Sequence, residues 1–257
     1  MILHQKNHLL FFKFSALDAF GEIRHGIFSR TGGSSRGDFA GLNMGPSVGD
    51  DPVRVRQNQE TIPAAIGGNA PVFLRQVHQT DVVVIDAQIA SKIRPFENPV
   101  FQGDALVTGL ADVSIGILTA DCQAVLIHAP DRRVVAAVHA GWKGSIGNII
   151  CRCIHVMKND FGCDPRKMVA GISPSLGPCC AEFINFRDEI PKALWRYKDS
   201  RHHFDFWAMS LDQLTGAGLT PDHIEIAGIC TKCNPHLFFS FRRSRQTGRF
   251  ASVIGLK

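Results

Sequence analysis

Two short apolar runs in this chain end in groups that can bind a metal. Thr119-Ala-Asp-Cys122 offers a thiol, Val138-His139-Ala-Gly-Trp-Lys-Gly144 an imidazole, and Gln76-Val-His78 a second imidazole upstream. One cysteine and two histidines make a three-donor set for a borderline-soft divalent ion, with a fourth position left for water or substrate. That is the arrangement of a catalytic zinc, whereas a structural zinc usually takes four protein ligands. Cys122 would ionise more readily beside a metal. His78 and His139 would be neutral donors, each oriented by an outer partner. The spacing is long and irregular, and a lone His or Cys is more often structural. What favours ligation is the common setting: all three lie at strand ends next to small or turn-forming residues, and Ala140-Gly141 lets backbone approach closely.

Acid–base groups should stand near such an ion. Asp121 is next to Cys122, and Asp104 precedes the apolar run 105–107; either could carry a proton, although Asp104 could equally cap a turn. Trp142 could stack on a planar ring, or simply pack. Arg30, beside Thr31-Gly32-Gly33, and Arg242, in Phe241-Arg242-Arg243, suit phosphate or carboxylate, and solvated turns read as well. Cys230-Thr-Lys-Cys233 has the spacing of a zinc or redox pair. A second such pair is missing, and adjacent Cys179-Cys180 does not readily replace it, so these read as free thiols near a loop. His202-His203 and His128 read as structural, since adjacent histidines on a strand face opposite ways. No Walker loop, G-x-G-x-x-G or G-x-S-x-G appears.

The elements that must position these groups are mostly strands. Short apolar runs at 72–74, 82–86, 105–108, 113–118, 125–127 and 134–138 are separated by turn residues, and their continuous apolarity predicts strands covered on both faces. Residues 168–172, 224–229, 237–241 and 251–256 read as later strands, and the first 25 as strands or hairpins. Helices are expected over 52–67, over 144–161 with Gly162 as its stop, from about Cys180, and over 210–218. The Gly/Ser/Asp-rich stretch from Ser29 to Asp51 reads as a long, functional loop. Helices set between blocks of strands favour an α+β sandwich.

With 257 residues, 45% of them hydrophobic and 20% charged, the chain is globular by composition. A net charge of +5 without a dense basic stripe suits an anionic small substrate and argues against nucleic acid. No apolar run reaches the length of a membrane span, and no signal peptide is apparent. Eight cysteines without a regular framework suggest reduced thiols and a cytoplasmic location.

Phe28-Ser-Arg-Thr-Gly-Gly33, Leu42-Asn-Met-Gly45 with Val48-Gly-Asp-Asp-Pro52, Gln76-Val-His78, Asp104-Ala-Leu-Val-Thr108, Thr119-Ala-Asp-Cys122, His139-Ala-Gly-Trp-Lys-Gly144, Gly177-Pro-Cys-Cys180 and Phe239-Ser-Phe-Arg-Arg243 with Thr247-Gly-Arg249 occur in that order. Together they resemble the YfiH-like family, also called the polyphenol oxidase or laccase-domain family and, in later usage, purine nucleoside phosphorylase. The likeness runs from about residue 24 to the C-terminus. It implies one YfiH-like domain over 1–257, with a four-layer α/β/β/α sandwich of two fused halves and mixed sheets. It also implies a metal held at His78, Cys122 and His139, zinc in most accounts and copper in older ones.

The activity implied is phosphorolysis of adenosine, inosine or methylthioadenosine and deamination of adenosine, with a nucleoside and phosphate as partners. Asp104 and Asp121 are then the catalytic candidates. Arg30, Asn43, Gln76, Lys143 and Arg242 are the substrate-binding candidates. Three alternatives are copper-dependent polyphenol oxidation, hydrolytic editing of nucleotide-linked cell-wall precursors, and a metal-stiffened binding protein without catalysis. The chain departs from the family's pattern with Ser173 before Pro174, with Ala181 where an aromatic is usual, and with Lys143 where Arg is frequent.

Overall fold

The computed structural model describes residues 1–96 and 101–257. The strands are β1 (Ile2–Lys6), β2 (Leu9–Lys13), β3 (Ile23–Phe28), β4 (Val82–Val84), β5 (Ala105–Thr108), β6 (Ser114–Thr119), β7 (Gln123–Ala129), β8 (Val134–Ala140), β9 (Val169–Ile172), β10 (Ile224–Ile226) and β11 (Phe250–Leu256). The helices are α1 (Ser15–Asp18), α2 (Pro52–Ile66), α3 (Ala87–Ala90), α4 (Trp142–Ile146), α5 (Ile149–Phe161), α6 (Phe186–Glu189) and α7 (Phe206–Gly216).

One sheet has the order β1-β2-β3-β11-β6 and is antiparallel throughout. The other has the order β10-β9-β7-β8-β5-β4, with parallel pairs at its two edges and antiparallel pairs between. The sheets pack face to face. β7 shows why its sequence does not alternate: Ala124 and Leu126 enter the core between the sheets, while Val125 and Ile127 pack under α5 and α7. Both faces are therefore dry, as the continuous apolar runs require. On the far side of the first sheet, Ile62 and Ala65 of α2 cover Phe11, Phe28 and Val253. The result is helix, sheet, sheet, helix: the α+β sandwich of four layers. The two halves are interleaved along the chain, because β6 and the C-terminal β11 both join the sheet begun by β1 to β3.

Several elements differ from the sequence expectation. The helix expected over 144–161 is two helices, because Asn148 adopts φ 60° between α4 and α5; Gly162 ends α5 in the left-handed region as expected. The helix expected from about Cys180 is replaced by turns and the four-residue α6. Residues 237–241 form turns, and Val72 makes a single bridge to Ile115. In both runs apolar side chains are buried without a continuous strand partner, and burial alone does not specify a strand. No helix among the described residues is long and apolar enough to cross a membrane.

His25 of β3 is a buried polar group with a defined state. The Phe14 N–H donates to its Nε2 at 2.9 Å, which requires that nitrogen to be unprotonated. Burial, and then the nearby Lys13 charge, bring its pKa from 6.5 down to about 4, against the opposing pull of Asp18 and Glu225. The folded-state value lies below the unfolded one, so the contribution is complete above about pH 6.5 and declines as pH falls toward 4, where the unfolded chain takes up a proton that the folded chain refuses. Urea unfolding of the wild type and His25→Gln at pH 7 and pH 4 should show the wild type losing about 3 kcal/mol more than the variant over that interval.

Candidate metal centre and its cleft

Register brings the candidate ligands together. In the six-stranded sheet β5, β8 and β7 are neighbours, with Ala105 opposite Val138 and Gln123 opposite Ala140. Asp104 therefore stands across from His139, and Cys122 across from Gly141, all at one edge of the sheet. The parallel strand β4 starts at the same edge, so the preceding segment delivers His78 there. One donor atom from each of His78, Cys122 and His139 lies within 4.8 Å of the others. The His78 and His139 rings meet edge to face with centroids 4.7 Å apart, and His78 Nε2 is 4.0 Å from Cys122 Sγ.

Asp104 fixes this arrangement. It is fully buried and accepts from the backbone N–H groups of Val77, His78 and Gln79 at 3.2, 2.9 and 2.8 Å. Three successive N–H groups turned to one carboxylate form an anion nest. The nest holds His78 at φ 60°, in the left-handed region that a non-glycine residue seldom adopts. The same carboxylate accepts from His139 Nδ1 at 2.8 Å, and its main-chain oxygen accepts the His139 N–H at 2.7 Å. His139 thus keeps Nε2 for the site. The Asp104 oxygens accept from four donors and the residue does not line the cleft, which favours the cap over the proton carrier of the sequence reading. It is a positioning residue.

Electrostatics couple the thiol and the imidazole. Burial pushes the Cys122 pKa up, but the charge of His139 and hydrogen bonds from both histidines outweigh it and bring it down to about 6. Burial pushes His139 down, but Cys122 and Asp104 outweigh it and raise it to about 9. The pair is a thiolate facing an imidazolium, and a divalent cation would take the place of the His139 Nε2 proton. Gly141 completes the fit: a Cβ there would lie 3.1 Å from His78 Cδ2 and 3.2 Å from Cys122 Sγ, so a larger residue would push on two of the converging side chains. The donor set could hold zinc or copper.

The trio lines a cleft of about 770 Å³. Its walls carry Trp142, Phe183, Phe206 and Phe241, and three arginines, Arg75, Arg242 and Arg249. Asp121, at φ 93°, is the one carboxylate in the lining among the described residues; it accepts from Thr231 Oγ1 at 2.6 Å and from the Arg242 N–H at 2.5 Å. Arg242 reaches across to the carbonyl oxygens of Cys180 and Glu182. Two buried polar atoms of lining residues, Thr119 Oγ1 and Gln123 Nε2, have no hydrogen-bond partner among the described residues.

The other candidates take different places. Gln76 lines the cleft, but its amide is spent on both main-chain groups of Leu118 at 2.9 Å. Asn43 is buried and accepts from the Gly45 and Arg249 N–H groups, so it shapes the cleft rim from behind. Arg30 lies over Phe239 and donates to Pro235 and Ala40, outside the lining. Lys143 is exposed beside Trp142 and also lies outside it. Arg30, Asn43 and Lys143 thus lie outside the lining: Arg30 is turned to backbone carbonyls, Asn43 to backbone and the Asp50 carboxylate, and Lys143 to solvent. Sequence reasoning missed Arg75, Phe183 and Phe206, but not Arg249. Arg249 had a signal in Thr247-Gly-Arg249, and Arg75 adjoins Gln76-Val-His78. Ala181 is buried and Ser173 Oγ accepts the Ala124 N–H, so neither departure faces the cleft.

A family profile described as multi-copper polyphenol oxidoreductase laccase matches residues 24–257. The chain belongs to this family. A purine nucleoside phosphorylase of Bacteroides thetaiotaomicron is 30% identical over 254 residues, covering 94% of each chain. One of Deinococcus radiodurans is 34% identical over 247 residues, covering 91% of this chain and 89% of its own. The crystal structure of the hypothetical protein YfiH of Bacillus licheniformis superposes with a TM-score of 0.87 at 26% identity, over 99% of both chains.

Replacing Asp104 by Asn sets an amide N–H2 against donors already directed at the carboxylate. Asp104→Asn should lower unfolding free energy by about 2–4 kcal/mol in urea titration, whereas the exposed Asp160→Asn changes it by less than about 0.5 kcal/mol.

Proposed function

We propose that this chain is a metal-dependent enzyme of purine nucleosides that cleaves them with phosphate and deaminates adenosine, with zinc as its ion at His78, Cys122 and His139. One observation carries the reading: the thiol–imidazole trio, four aromatic residues and three arginines line the same cleft of about 770 Å³. That volume is of the size that small-molecule sites take. The names of the relatives favour the same class. Eight free thiols suit a cytoplasmic setting.

Each feature has a task in this reading. Trp142, Phe183 and Phe241 offer faces on which a purine stacks. Thr119 Oγ1 and Gln123 Nε2 are polar groups that ribose hydroxyls or ring nitrogens would satisfy. Arg75, Arg242 and Arg249 hold phosphate, the guanidinium fork matching its oxygens. In phosphorolysis a phosphate oxygen bonds to ribose C1′, the C1′–N9 bond breaks, and its electron pair leaves with the purine, which takes a proton. Asp121, which lines the cleft, is our candidate for handling that proton. Deamination exchanges the adenosine C6 amine for water and releases ammonia. A divalent ion at the trio supplies Lewis acidity for such chemistry.

Zinc-loaded protein with adenosine, inosine or methylthioadenosine and phosphate should release free base and the ribose 1-phosphate product, and should yield inosine from adenosine, on chromatography. Cys122→Ala should lower kcat/KM about 100-fold or more, and Gly141→Ala about 10-fold, by loss or crowding of the ligand set. Arg242→Ala should raise the KM for phosphate about 10-fold with a smaller change in kcat. Absence of nucleoside turnover by the loaded protein, with polyphenol oxidation in the copper form, would overturn the reading.

A further inference from the structure

The structure assembles a second group of metal donors, which the sequence does not announce. Cys179, Cys180, Cys230 and Cys233 place their sulfurs within 4.8 Å of one another. The adjacent pair therefore does supply what Cys230-Thr-Lys-Cys233 lacks in sequence, because the turn after Gly177 folds against the turn after Ile229. The two segments are tied by main-chain bonds from Ser175 N–H to Ile229 and from Thr231 N–H to Ser175, at 3.1 and 2.9 Å.

We propose that these four cysteines form a structural, tetrahedral zinc site separate from the His78–Cys122–His139 group. A tetrahedral ion with four Zn–S bonds of about 2.3 Å requires sulfurs about 3.8 Å apart. Cys233 Sγ is 3.7 Å from Cys179 Sγ and 3.5 Å from Cys180 Sγ. All four cysteines are free thiols, and Cys179 and Cys233 are exposed, so the grouping is not explained by burial of apolar surface.

Binding would release the thiol protons to solvent and leave a complex of charge −2. Lys232 lies between two of the ligands in sequence, and Arg242 donates to the Cys180 carbonyl, so positive charge stands close by. The ion would also tie together two walls of the cleft. Thr231, between Cys230 and Cys233, holds Asp121, and Leu176, just before Gly177, lines the cleft and donates its N–H to the Asp121 carbonyl at 2.8 Å. This site does not rest on the nucleoside reading, and its test involves no substrate.

Wild-type protein reconstituted with zinc under reducing conditions should hold two ions per chain by elemental analysis, and Cys122→Ala should hold one. Alkylation with iodoacetamide, mapped by mass spectrometry, should leave Cys179, Cys180, Cys230 and Cys233 unmodified in the zinc-loaded wild type. Exposed Cys179 and Cys233 should react once a chelator removes the metal. Cys233→Ser in the Cys122→Ala background should remove the remaining ion. A single zinc in the wild type that is lost with Cys122 would overturn the site. So would alkylation of Cys179 and Cys233 with zinc present, or disulfides among the four in protein kept reduced.

Discussion

A single buried carboxylate holds the centre in place. Asp104 ties the His78 turn to His139 through three backbone N–H groups and one ring nitrogen. A buried charge with this many oriented donors stays ionised, and its pKa is drawn below the usual carboxylate range: burial works against this, and the His139 bond and the N–H groups more than offset it. The energy stored in those bonds keeps His78 at a positive φ that its own side chain disfavours. Without that anchor the segment before β4 would have no reason to turn toward the sheet edge. The histidine it carries would then leave Cys122.

The sandwich supplies the rest of the rigidity. Adjacent strands β5, β8 and β7 deliver Asp104, His139 and Cys122 to one edge, where the sheet ends and the cleft begins. Strands buried on both faces cannot shift register without exposing apolar side chains on one layer or the other. The ligand geometry is therefore inherited from the core. The cleft walls come from loops instead: the rim near Gly45, the turn at Leu176, and the turns around Arg242 and Arg249. Their positions are set by side-chain to backbone bonds such as Asn43 to Arg249 and Asp121 to Arg242. A rigid sheet edge that holds the reactive groups, walled by loops that can vary, is a common way for one fold to serve different substrates.

Much of the centre was legible in the sequence, since His78, Cys122 and His139 could be singled out by residue type and strand-end setting. The layers were legible too, because apolar runs without alternation imply strands covered twice. What resisted was long-range. Asp104 reads equally as a proton carrier or a cap, and only the register opposite His139 decides between them. The break at Asn148 depends on one left-handed residue that carries no strong local signal. The four cysteines near residues 180 and 230 looked unpaired because spacing along the chain says nothing about two loops brought side by side. Arg30, Asn43 and Lys143 have suitable chemistry and the wrong direction, which composition cannot show.

The account stands or falls on whether His78, Cys122 and His139 share one accessible ion. Anomalous diffraction at the zinc edge, on crystals of the zinc-loaded protein, measures this directly. The expected result is a peak about 2.0–2.3 Å from His78 Nε2, His139 Nε2 and Cys122 Sγ, with no fourth protein ligand. No peak between these side chains, or a peak closed by a fourth protein donor, would contradict it.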